Sequence, residues 1–346
     1  MQMKSINAFK KIIPSVFVIE TPLQAICAVQ AIRDFEIINY KVIVWYSVRV
    51  EQVCSVLKFF NVGFVVDDLE IVTKKKEWLA ALFHYSCYRR AFIGFPKMHM
   101  LFCACRYIGI CSDIVLLDDG LATVTLFKKG KLLDFDDWFV RPFNWLTRFK
   151  AIRYNKYVYT MFNDIPHDGF HTFTNNMSLL TSNEETKSIS EIIFVGTNPK
   201  SFGKSLCLDI PKYNCMLRSL LMRLKESFPN CKLVYIPHGA DVGIESKRIC
   251  KETGWNYVPV SMTIELYFLQ RAVKPISVYG FLSTALFVLK RMFPDMNIIN
   301  VIPQIIMNIP SYENYQDLSL YYENNSIPSV DDELNRVDLT DYHMVS

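Results

Sequence analysis

The sequence predicts an α/β protein made of two Rossmann-like domains in tandem. Short apolar runs alternate with helical patterns from the N-terminus, which is typical of a parallel sheet with crossover helices. A polar stretch without periodicity, residues 163–190, interrupts the alternation, which then restarts at Glu191. The chain has 346 residues, of which 51% are hydrophobic, and this is enough for two domains that each bury a core.

The first predicted domain spans residues 1–170 and begins with a β-α unit. Residues 15–19 are mainly apolar, as expected of a buried strand, and Pro22 then opens a helix because proline suits a first helical turn. The predicted elements in chain order are a strand at 15–19, a helix at 22–35, a strand at 41–46, a helix at 50–60, a strand at 63–66, helical aromatic-rich structure at 78–107, a strand at 113–117 and a hairpin that turns at Lys128-Lys129-Gly130-Lys131.

The second predicted domain spans residues 191–310 and follows a linker at 171–190. It repeats the β-α pattern of the first. Residues 311–346 are rich in Asp, Glu, Tyr and Asn, and they are predicted to form an extended or partly disordered acidic tail. The predicted elements are a strand at 191–195, a helix at 213–227, a strand at 232–236, helices at 244–253 and 263–271, a strand at 276–279 and a helix at 283–292.

Charge and hydropathy restrict the partners and the compartment. The formal net charge of +4 is too small for a dedicated nucleic-acid-binding protein, but it suits anionic ligands or a membrane surface. Glu20 interrupts the first apolar run, so no signal peptide is predicted, and the uncharged stretch 275–289 is shorter than the roughly 20 residues that span a bilayer. We expect a cytoplasmic protein and leave open a peripheral contact with the inner membrane. The candidate basic patches are Lys74-Lys75-Lys76, Arg89-Arg90 and Lys128-Lys129.

The ten cysteines have irregular spacings and form no CxxC pair, so neither a zinc ribbon nor a disulfide framework is predicted. Cys103, Cys105 and Cys111 cluster among apolar residues, where buried free thiols are expected. No metal site is predicted from the cysteines.

Two acidic residues and a glycine, Asp118-Asp119-Gly120, follow a predicted strand. Open α/β folds bind ligands at this carboxyl edge of the sheet. Because side chains alternate along a strand, only one carboxylate should face a cleft, and Asp119, nearer the turn, is the candidate general base. An ordinary Asp-Asp-Gly turn without chemistry is the alternative.

His238 follows a second predicted strand, after Pro237, and is the candidate phosphate ligand or acid because its charge state changes near neutral pH. Ser283 and Thr284 begin a predicted helix, where hydroxyls and free backbone N–H groups bind phosphate. The alternatives are a structural histidine and an ordinary helix cap. Glu265, in the first turn of another helix, could accept hydrogen bonds from ribose or could serve only the helix dipole.

A competing pattern is Asp134-Phe135-Asp136, a DxD string of the kind that holds a divalent metal on nucleotide phosphates. Acidic residues near a turn are also typical of solvent exposure. The motifs of P-loop kinases, dinucleotide-binding dehydrogenases, α/β-hydrolases and zinc proteases do not occur in the sequence.

Taken in order, these motifs resemble those of bacterial sialyltransferases of glycosyltransferase family 52 and the related capsular polysialyltransferases. The resemblance spans about residues 15–300. One departure is Gly239, which follows the histidine where the families have proline. The residues that carry the resemblance are Thr21-Pro22-Leu23-Gln24, Asp118-Asp119-Gly120, Pro237-His238, Glu265 and Ser283-Thr284.

The resemblance implies a GT-B fold, in which two Rossmann-like domains face a central cleft, and inverting transfer of sialic acid from CMP-sialic acid to a sugar hydroxyl without a metal or other cofactor. The first domain would bind the acceptor, a glycan or lipid-linked oligosaccharide, and the second the donor. The implied roles are catalysis for Asp119 and His238, a second carboxylate for Asp118, donor binding for Gly196, Pro237, Glu265, Ser283 and Thr284, and acceptor-side contacts for Thr21 and Gln24.

Two other functions remain open at this point. One is a GT-B transferase with another nucleotide sugar, for example a glucosyltransferase, since family 52 also includes such enzymes. The other is a non-catalytic glycan-binding or assembly protein in which the motifs are only turns.

Overall fold

The computed structural model divides the chain into two compact units, Met1–Leu179 and Leu180–Ser346. The residues that the structure describes are 14–45, 49–62, 69–72, 77, 80, 88–94, 113–128, 155–165, 170–181, 187–199, 209–239, 241, 243–271, 273–304 and 312–335.

The described part of the first unit holds a sheet of seven strands, in which every pair of neighbours is parallel. Its spatial order is β3-β2-β1-β4-β5-β6-β7, so the order reverses between β1 and β4. The strands are β1 (Ser15–Ile19), β2 (Tyr40–Trp45), β3 (Leu69–Val72), β4 (Arg90–Ile93), β5 (Asp113–Leu117), β6 (Asn155–Thr160) and β7 (His171–Thr174).

Three helices connect described strands of this sheet: α1 (Pro22–Asp34), α2 (Val50–Phe59) and α3 (Leu121–Lys128). The sheet and its helices bury aromatic residues between them. Phe17 and Phe92 stack with their ring centroids 4.4 Å apart, and Phe35 packs edge-on against Tyr159 and Phe173. The Phe17–Phe92 stack joins β1 to β4 across the reversal point, and Phe35 packs the end of α1 against β6 and β7.

The C-terminal half of α1 is anchored to the segment that leads out of the first unit. Gln30 donates to Ser178 Oγ (2.9 Å) and accepts from the Leu179 N–H (2.8 Å). The same side chain donates to Asp34 (2.7 Å), which also accepts from the Tyr159 hydroxyl. Gln30 is fully buried, so each of these hydrogen bonds is needed to offset its desolvation.

The second unit repeats this architecture with a six-stranded sheet in its described part, again parallel throughout. The order β10-β9-β8-β11-β12-β13 reverses between β8 and β11. The strands are β8 (Lys187–Val195), β9 (Lys232–Ile236), β10 (Asn256–Tyr257), β11 (Val273–Gly280), β12 (Asn297–Ile302) and β13 (Ser329–Asp331), and the helices are α4 (Ile210–Ser227), α5 (Ile244–Thr253), α6 (Ile264–Leu269), α7 (Thr284–Met292) and α8 (Tyr312–Asn324).

The predicted fold class, two Rossmann-like α/β domains, is confirmed. The predicted strand at 232–236 and helix at 244–253 have the observed bounds, and most other predicted elements differ by only a few residues at their ends. No helix in the described ranges is both long and apolar enough to cross a membrane. The predicted strand at 63–66 lies outside the described residues.

Two local predictions in the first unit are wrong. The stretch 78–107 is predicted to be helical, but residues 90–93 form β4, a short strand that periodicity alone cannot distinguish from a buried helical turn. Residues 78–79, 81–87 and 95–107 lie outside the described part. A hairpin was expected around residue 128, but α3 occupies 121–128. The Thr123 hydroxyl, in the first turn of this helix, accepts a hydrogen bond from the Asp119 N–H (2.8 Å), which stabilises the start of the helix.

The predicted linker and tail are also partly wrong. Residues 171–174 form β7, in which Phe173 is buried, and residues 187–190 begin β8. In the predicted tail, α8 packs its Tyr321 and Tyr322 against Phe287, and β13 extends the sheet. Polar side chains on the exposed faces hid these elements in the sequence. Residues 336–346 lie outside the described part.

Arg90 was assigned to a basic surface patch, but it is almost fully buried at the start of β4, with its Nε 3.8 Å from Asp113 Oδ2 on β5. The two residues are direct partners in the parallel register, which explains the pairing. Lys74-Lys75-Lys76 and Lys129 lie outside the described residues.

Candidate functional site

The first site residues lie at the carboxyl end of β1, where Thr21-Pro22-Leu23-Gln24 forms a capping box for α1. The Thr21 hydroxyl accepts from the Gln24 N–H (3.3 Å), and Gln24 Oε1 accepts in return from the Thr21 N–H (3.2 Å). Gln24 Oε1 also accepts from the Glu20 N–H (2.7 Å). Pro22 occupies the first helical turn, where a missing N–H costs nothing. Thr21 and Gln24 are therefore held rigidly at the strand end.

Asp119 meets this capping box from the end of β5. Gln24 Nε2 donates to Asp119 Oδ1 (2.7 Å), and the Thr21 hydroxyl lies 3.5 Å from the same oxygen. The structure thus brings together three residues that are 95 and 98 positions apart along the chain. The candidate base and the two residues assigned to the acceptor side form one cluster.

Asp118 has a different environment, as side-chain alternation predicts. It is fully buried, and its carboxylate accepts from the Thr160 hydroxyl (2.6 Å) and the Met161 N–H (2.7 Å). These bonds tie the end of β5 to the end of β6. Asp118 is therefore bound by groups at the end of β6, whereas Asp119 contacts Gln24 and Thr21 at the end of β1.

Burial raises the pKa of Asp119, while the hydrogen bond from Gln24, the charge of Arg49 and the hydrogen bond from Thr21 act in the opposite direction. The pKa of Glu20 is also raised, first by burial and then by the charge of Asp119, and Arg49 opposes this rise. Two carboxylates and a guanidinium therefore influence one another at this edge. Raised carboxyl pKa values bring a base closer to neutral pH, which favours general-base catalysis.

Sequence reasoning missed Glu20, Arg49 and Gly94. Gly94 follows β4, the neighbour of β1 across the reversal point, and a Cβ built there would lie 2.3 Å from Cδ of Gln24. The absence of a side chain at Gly94 thus leaves the space that the Gln24 amide occupies. Its sequence signal is a glycine directly after a short apolar run, which predicts a close backbone approach.

In the second unit, two glycines lie on either side of the reversal point. Gly196 follows β8, and Gly280, the last residue of β11, is the register partner of Val195. A Cβ would lie 2.4 Å from the Tyr235 hydroxyl at Gly196 and 3.0 Å from the Val195 carbonyl oxygen at Gly280. The two glycines therefore allow close packing within the sheet, at the kind of reversal point where open α/β sheets bind ligands.

Ser283 and Thr284 stand just beyond Gly280, at the start of α7, as predicted. Ser283 is the N-cap residue, but its side chain makes no capping hydrogen bond. The preceding Leu282 has a φ of 28°, an unfavourable value for a branched side chain, and its N–H donates to Asn300 Oδ1 (2.8 Å). Asn300 is fully buried in β12 and stabilises this turn; the sequence signal for it is an amide in the middle of an apolar strand.

His238 and Pro237 follow β9, the neighbour of β8, and both are half-buried. The His238 carbonyl accepts from the Asp241 N–H (2.8 Å), and the Asp241 carboxylate accepts from the Gly243 N–H (3.0 Å) and from the Ser246 hydroxyl. The turn after His238 is thus stabilised by Asp241. Sequence reasoning missed Asp241.

Glu265 lies in the first turn of α6 and is almost fully buried. Burial raises its pKa, and hydrogen bonds from its own N–H and from Thr263 oppose this rise. Each of these residues follows one of four adjacent strands of the sheet: Glu265 follows β10, His238 follows β9, Gly196 follows β8 and Ser283 follows β11. These donor-side candidates therefore follow the carboxyl ends of neighbouring strands.

The predicted DxD string, Asp134-Phe135-Asp136, and the cysteines at 103, 105 and 111 lie outside the described residues. Within the described ranges, no group of three or more His, Cys, Asp or Glu side chains could hold a metal ion.

No family model matches this chain. No curated protein matches it either. Among solved structures, a protein classed as a UDP-N-acetylglucosamine 2-epimerase from Listeria monocytogenes is 10% identical, with a TM-score of 0.51 over 84% of this chain and 79% of that one.

Two further structures are less similar to this chain, with TM-scores below 0.5, and no conclusion is based on them. One is a UDP-GlcNAc 2-epimerase from Neisseria meningitidis bound to UDP-GlcNAc, 12% identical over 94% of this chain and 95% of that one (TM-score 0.46). The other is the E. coli ADP-heptose lps heptosyltransferase II, 11% identical over 90% and 99% (TM-score 0.41). Together with the two parallel sheets and their reversal points, the Listeria similarity shows that this chain has a GT-B-like fold of two Rossmann-like domains.

Proposed function

We propose that this protein is an inverting glycosyltransferase that moves sialic acid from CMP-sialic acid to a terminal sugar hydroxyl of a bacterial surface glycan, such as O-antigen or lipooligosaccharide. The observation that carries the proposal is the carboxylate of Asp119, held by Thr21 and Gln24 at the carboxyl edge of the first sheet. The motif resemblance supplies the donor and the acceptor, for which we favour galactose in an α-2,3 linkage.

In this mechanism, Asp119 removes the proton of the acceptor hydroxyl as the oxygen attacks the anomeric carbon of the donor. Its raised pKa makes it a stronger base than an exposed aspartate, and the Gln24 hydrogen bond keeps it ionised. The bond to the CMP phosphate breaks, and the leaving phosphate gains negative charge.

The second unit would stabilise that charge. The Ser283 hydroxyl makes no capping hydrogen bond, and it stands at the start of α7, where the helix dipole favours an anion such as a phosphate. His238 would donate a further hydrogen bond, while Glu265 would contact the ribose or the cytidine. A single phosphate can be neutralised by such groups without a metal, so we expect activity to survive EDTA.

A transferase that uses another nucleotide sugar, for example a glucosyltransferase, is the second candidate. The structure with a TM-score of 0.51 is named for a UDP-sugar, which makes UDP donors the natural comparison. A non-catalytic glycan-binding or assembly protein is the third candidate, and any turnover of a donor rejects it.

The test is product analysis with the purified protein and a galactose-terminated acceptor. Parallel reactions contain CMP-sialic acid, UDP-glucose or UDP-N-acetylglucosamine, each with and without EDTA, and Asp119→Asn serves as the inactive control. A sialylated product formed only with CMP-sialic acid supports the proposal. Transfer from a UDP-sugar alone would move the assignment to the second candidate, and loss of activity in EDTA that Mn²⁺ restores would favour the DxD string.

A further inference from the structure

Gln24 is the most constrained polar side chain near Asp119. It is fully buried, and its Oε1 accepts from the N–H groups of Glu20 (2.7 Å) and Thr21 (3.2 Å). Because two donors face Oε1, the amide can have only one orientation, with Nε2 toward Asp119 Oδ1 (2.7 Å). The side chain therefore offers a donor to the carboxylate and cannot offer an acceptor.

This donor is not needed for the capping box itself. In a capping box the third helical residue is Glu or Gln, since both supply the oxygen that accepts from the N-cap N–H. Only glutamine has a second polar atom that can donate. The choice of glutamine at position 24 is thus explained by Asp119 and not by the helix.

Gly94 confirms how closely this side chain is held. Its N–H donates to the Val18 carbonyl (2.9 Å), so its backbone is fixed in the sheet. A Cβ at this position would lie 2.3 Å from both Cδ and Oε1 of Gln24, which is far inside van der Waals contact. A larger residue at position 94 would therefore expel the Gln24 amide from its place.

We propose that Gln24 is a positioning residue for the general base: its amide holds the Asp119 carboxylate ionised and aimed at the edge of the sheet, and Gly94 provides the space for it. This inference rests on the proposed function, because it assumes that Asp119 is the base. It assigns Gln24 a role beside Asp119 and not the direct acceptor contact that the motif resemblance implies.

Other charged and titratable groups also act on Asp119 and must be held constant in a test. Arg49, at the start of α2, stabilises the ionised form, and Glu20, at the end of β1, repels it. Cys27, on α1, is buried, and the charges of Asp118 and Asp119 help to raise the pKa of its thiol. Variants at position 24 and 94 leave all of these groups in place.

The decisive variant is Gln24→Glu, which keeps the capping box but replaces the donor with a second carboxylate. Turnover at pH 7 should fall about tenfold or more, because the ionised base is repelled. The acidic limb of the kcat/KM profile should move to higher pH, and the melting temperature should fall, because two carboxylates are then buried side by side. A wild-type pH profile in this variant would overturn the proposal.

Gly94→Ala should reproduce the effect without any change at position 24. The matched control is Gln30→Met, which removes a fully buried glutamine from the same helix, with hydrogen bonds to Asp34, Ser178 and Leu179 but none to Asp119. The control should lose thermal stability and keep the wild-type pH profile. An equal shift of the profile in Gln30→Met would show that loosening α1 is sufficient, which would overturn the positioning role.

A second measurement separates this inference from the proposed function. The carboxyl carbon of Asp119 can be titrated by ¹³C NMR in aspartate-labelled protein, with Asp119→Asn identifying the signal, and no donor is required. We expect the pKa of Asp119 to be higher in Gln24→Glu than in the wild type. An unchanged titration would overturn the positioning role even if CMP-sialic acid is turned over, whereas a raised pKa supports it even if every tested donor fails.

Discussion

The two sheets present their candidate site residues in different ways. In the first unit, side chains meet one another: Asp119 is bound by Gln24 and Thr21, and the cluster is largely closed by its own hydrogen bonds. In the second unit, the glycines leave room for the Tyr235 hydroxyl and the Val195 carbonyl, and the Ser283 hydroxyl at the start of α7 makes no capping bond. A base needs a fixed orientation and an altered pKa, whereas a phosphate site needs donors that no other group uses, and these are the tasks that we propose for the first and the second sheet edge.

The largest expected effect tests the catalytic side of this comparison. Asp119→Asn should lower turnover by about 10²-fold or more and leave CMP affinity nearly unchanged, because general-base catalysis contributes on that order. The measurements are steady-state kinetics and CMP titration by calorimetry. Loss of CMP binding in this variant would mean that the carboxylate belongs to the nucleotide site.

Asp118→Asn is the matched variant for that experiment. The asparagine amide would point an N–H group at the Thr160 hydroxyl or at the Met161 N–H, which both donate to Asp118 in the wild type. We therefore expect the free energy of unfolding to fall by about 1–3 kcal/mol, and turnover to fall less than in Asp119→Asn. The reverse ranking of the two variants in turnover would show that Asp118 is the base.

The donor side is tested by the double change Ser283→Ala/Thr284→Ala and, separately, by His238→Ala. Each should weaken CMP binding as well as turnover, and the hydroxyl pair should cost about 1–3 kcal/mol, the range for hydrogen bonds to a charged group. Wild-type CMP affinity in both variants would mean that the nucleotide binds elsewhere.

A control for the hydroxyl pair comes from another helix cap. Asp209 caps α4 by accepting from the Lys212 N–H (2.8 Å), whereas Ser283 makes no such bond. Asp209→Ala should therefore lower the free energy of unfolding by about 1 kcal/mol without changing CMP affinity. Ser283→Ala/Thr284→Ala should weaken CMP binding with little change in the free energy of unfolding. Equal stability losses in the two would make Ser283 an ordinary cap.

A smaller effect is expected at the glycine of the donor side. Gly196→Ala should lower the free energy of unfolding by about 1–3 kcal/mol, because its Cβ would meet the Tyr235 hydroxyl at 2.4 Å. Tyr235→Phe in the same chain should restore part of this loss by removing the hydroxyl, as thermal unfolding would show. No rescue would indicate that the collision is with the rest of the ring, whose nearest carbon is at 2.8 Å.

The smallest effect concerns pH and stability. Burial raises the folded-state pKa of Asp119 above its unfolded value, so its contribution to stability is present below the unfolded pKa and is lost as the pH rises through the folded pKa. Asparagine does not ionise. Asp119→Asn should therefore be more stable than the wild type at pH 7, by about 0.5–1 kcal/mol, and this advantage should disappear at low pH. The free energies of unfolding of both proteins can be measured with denaturant at several pH values. A variant that is less stable than the wild type at pH 7 would contradict this prediction.

The sequence was sufficient to predict what depends on neighbouring residues. The β-α alternation and the strand before Asp118-Asp119 follow from apolar runs and turn residues, and side-chain alternation singles out Asp119. Glu20 and Arg49 could not be assigned, because their importance depends on proximity to a carboxylate about 100 and 70 positions away along the chain. Gly94 was missed because its importance depends on Gln24, which is also far away along the chain.

The failures at β7 and α8 have a different cause. Both elements have one buried face and one polar face, so their average composition is that of a loop. The buried faces are formed by Phe173 in β7 and by Tyr321 and Tyr322 in α8. The composition of each segment does not show that these aromatic residues are buried. Short or edge elements are therefore where the sequence pattern is least informative.

The 13-residue α1 makes contacts that matter at both of its ends: Gln24 near the first turn supports Asp119, and Gln30 and Asp34 hold the segment at 178–179 and Tyr159. Each helical residue adds about 100° of rotation and about 1.5 Å of length. Inserting or deleting one residue between Gln24 and Gln30 would turn one set of contacts away from its partners while the other stays in place. The length of this helix is therefore fixed by its two ends, and natural variation in chain length should be confined to the loops around it.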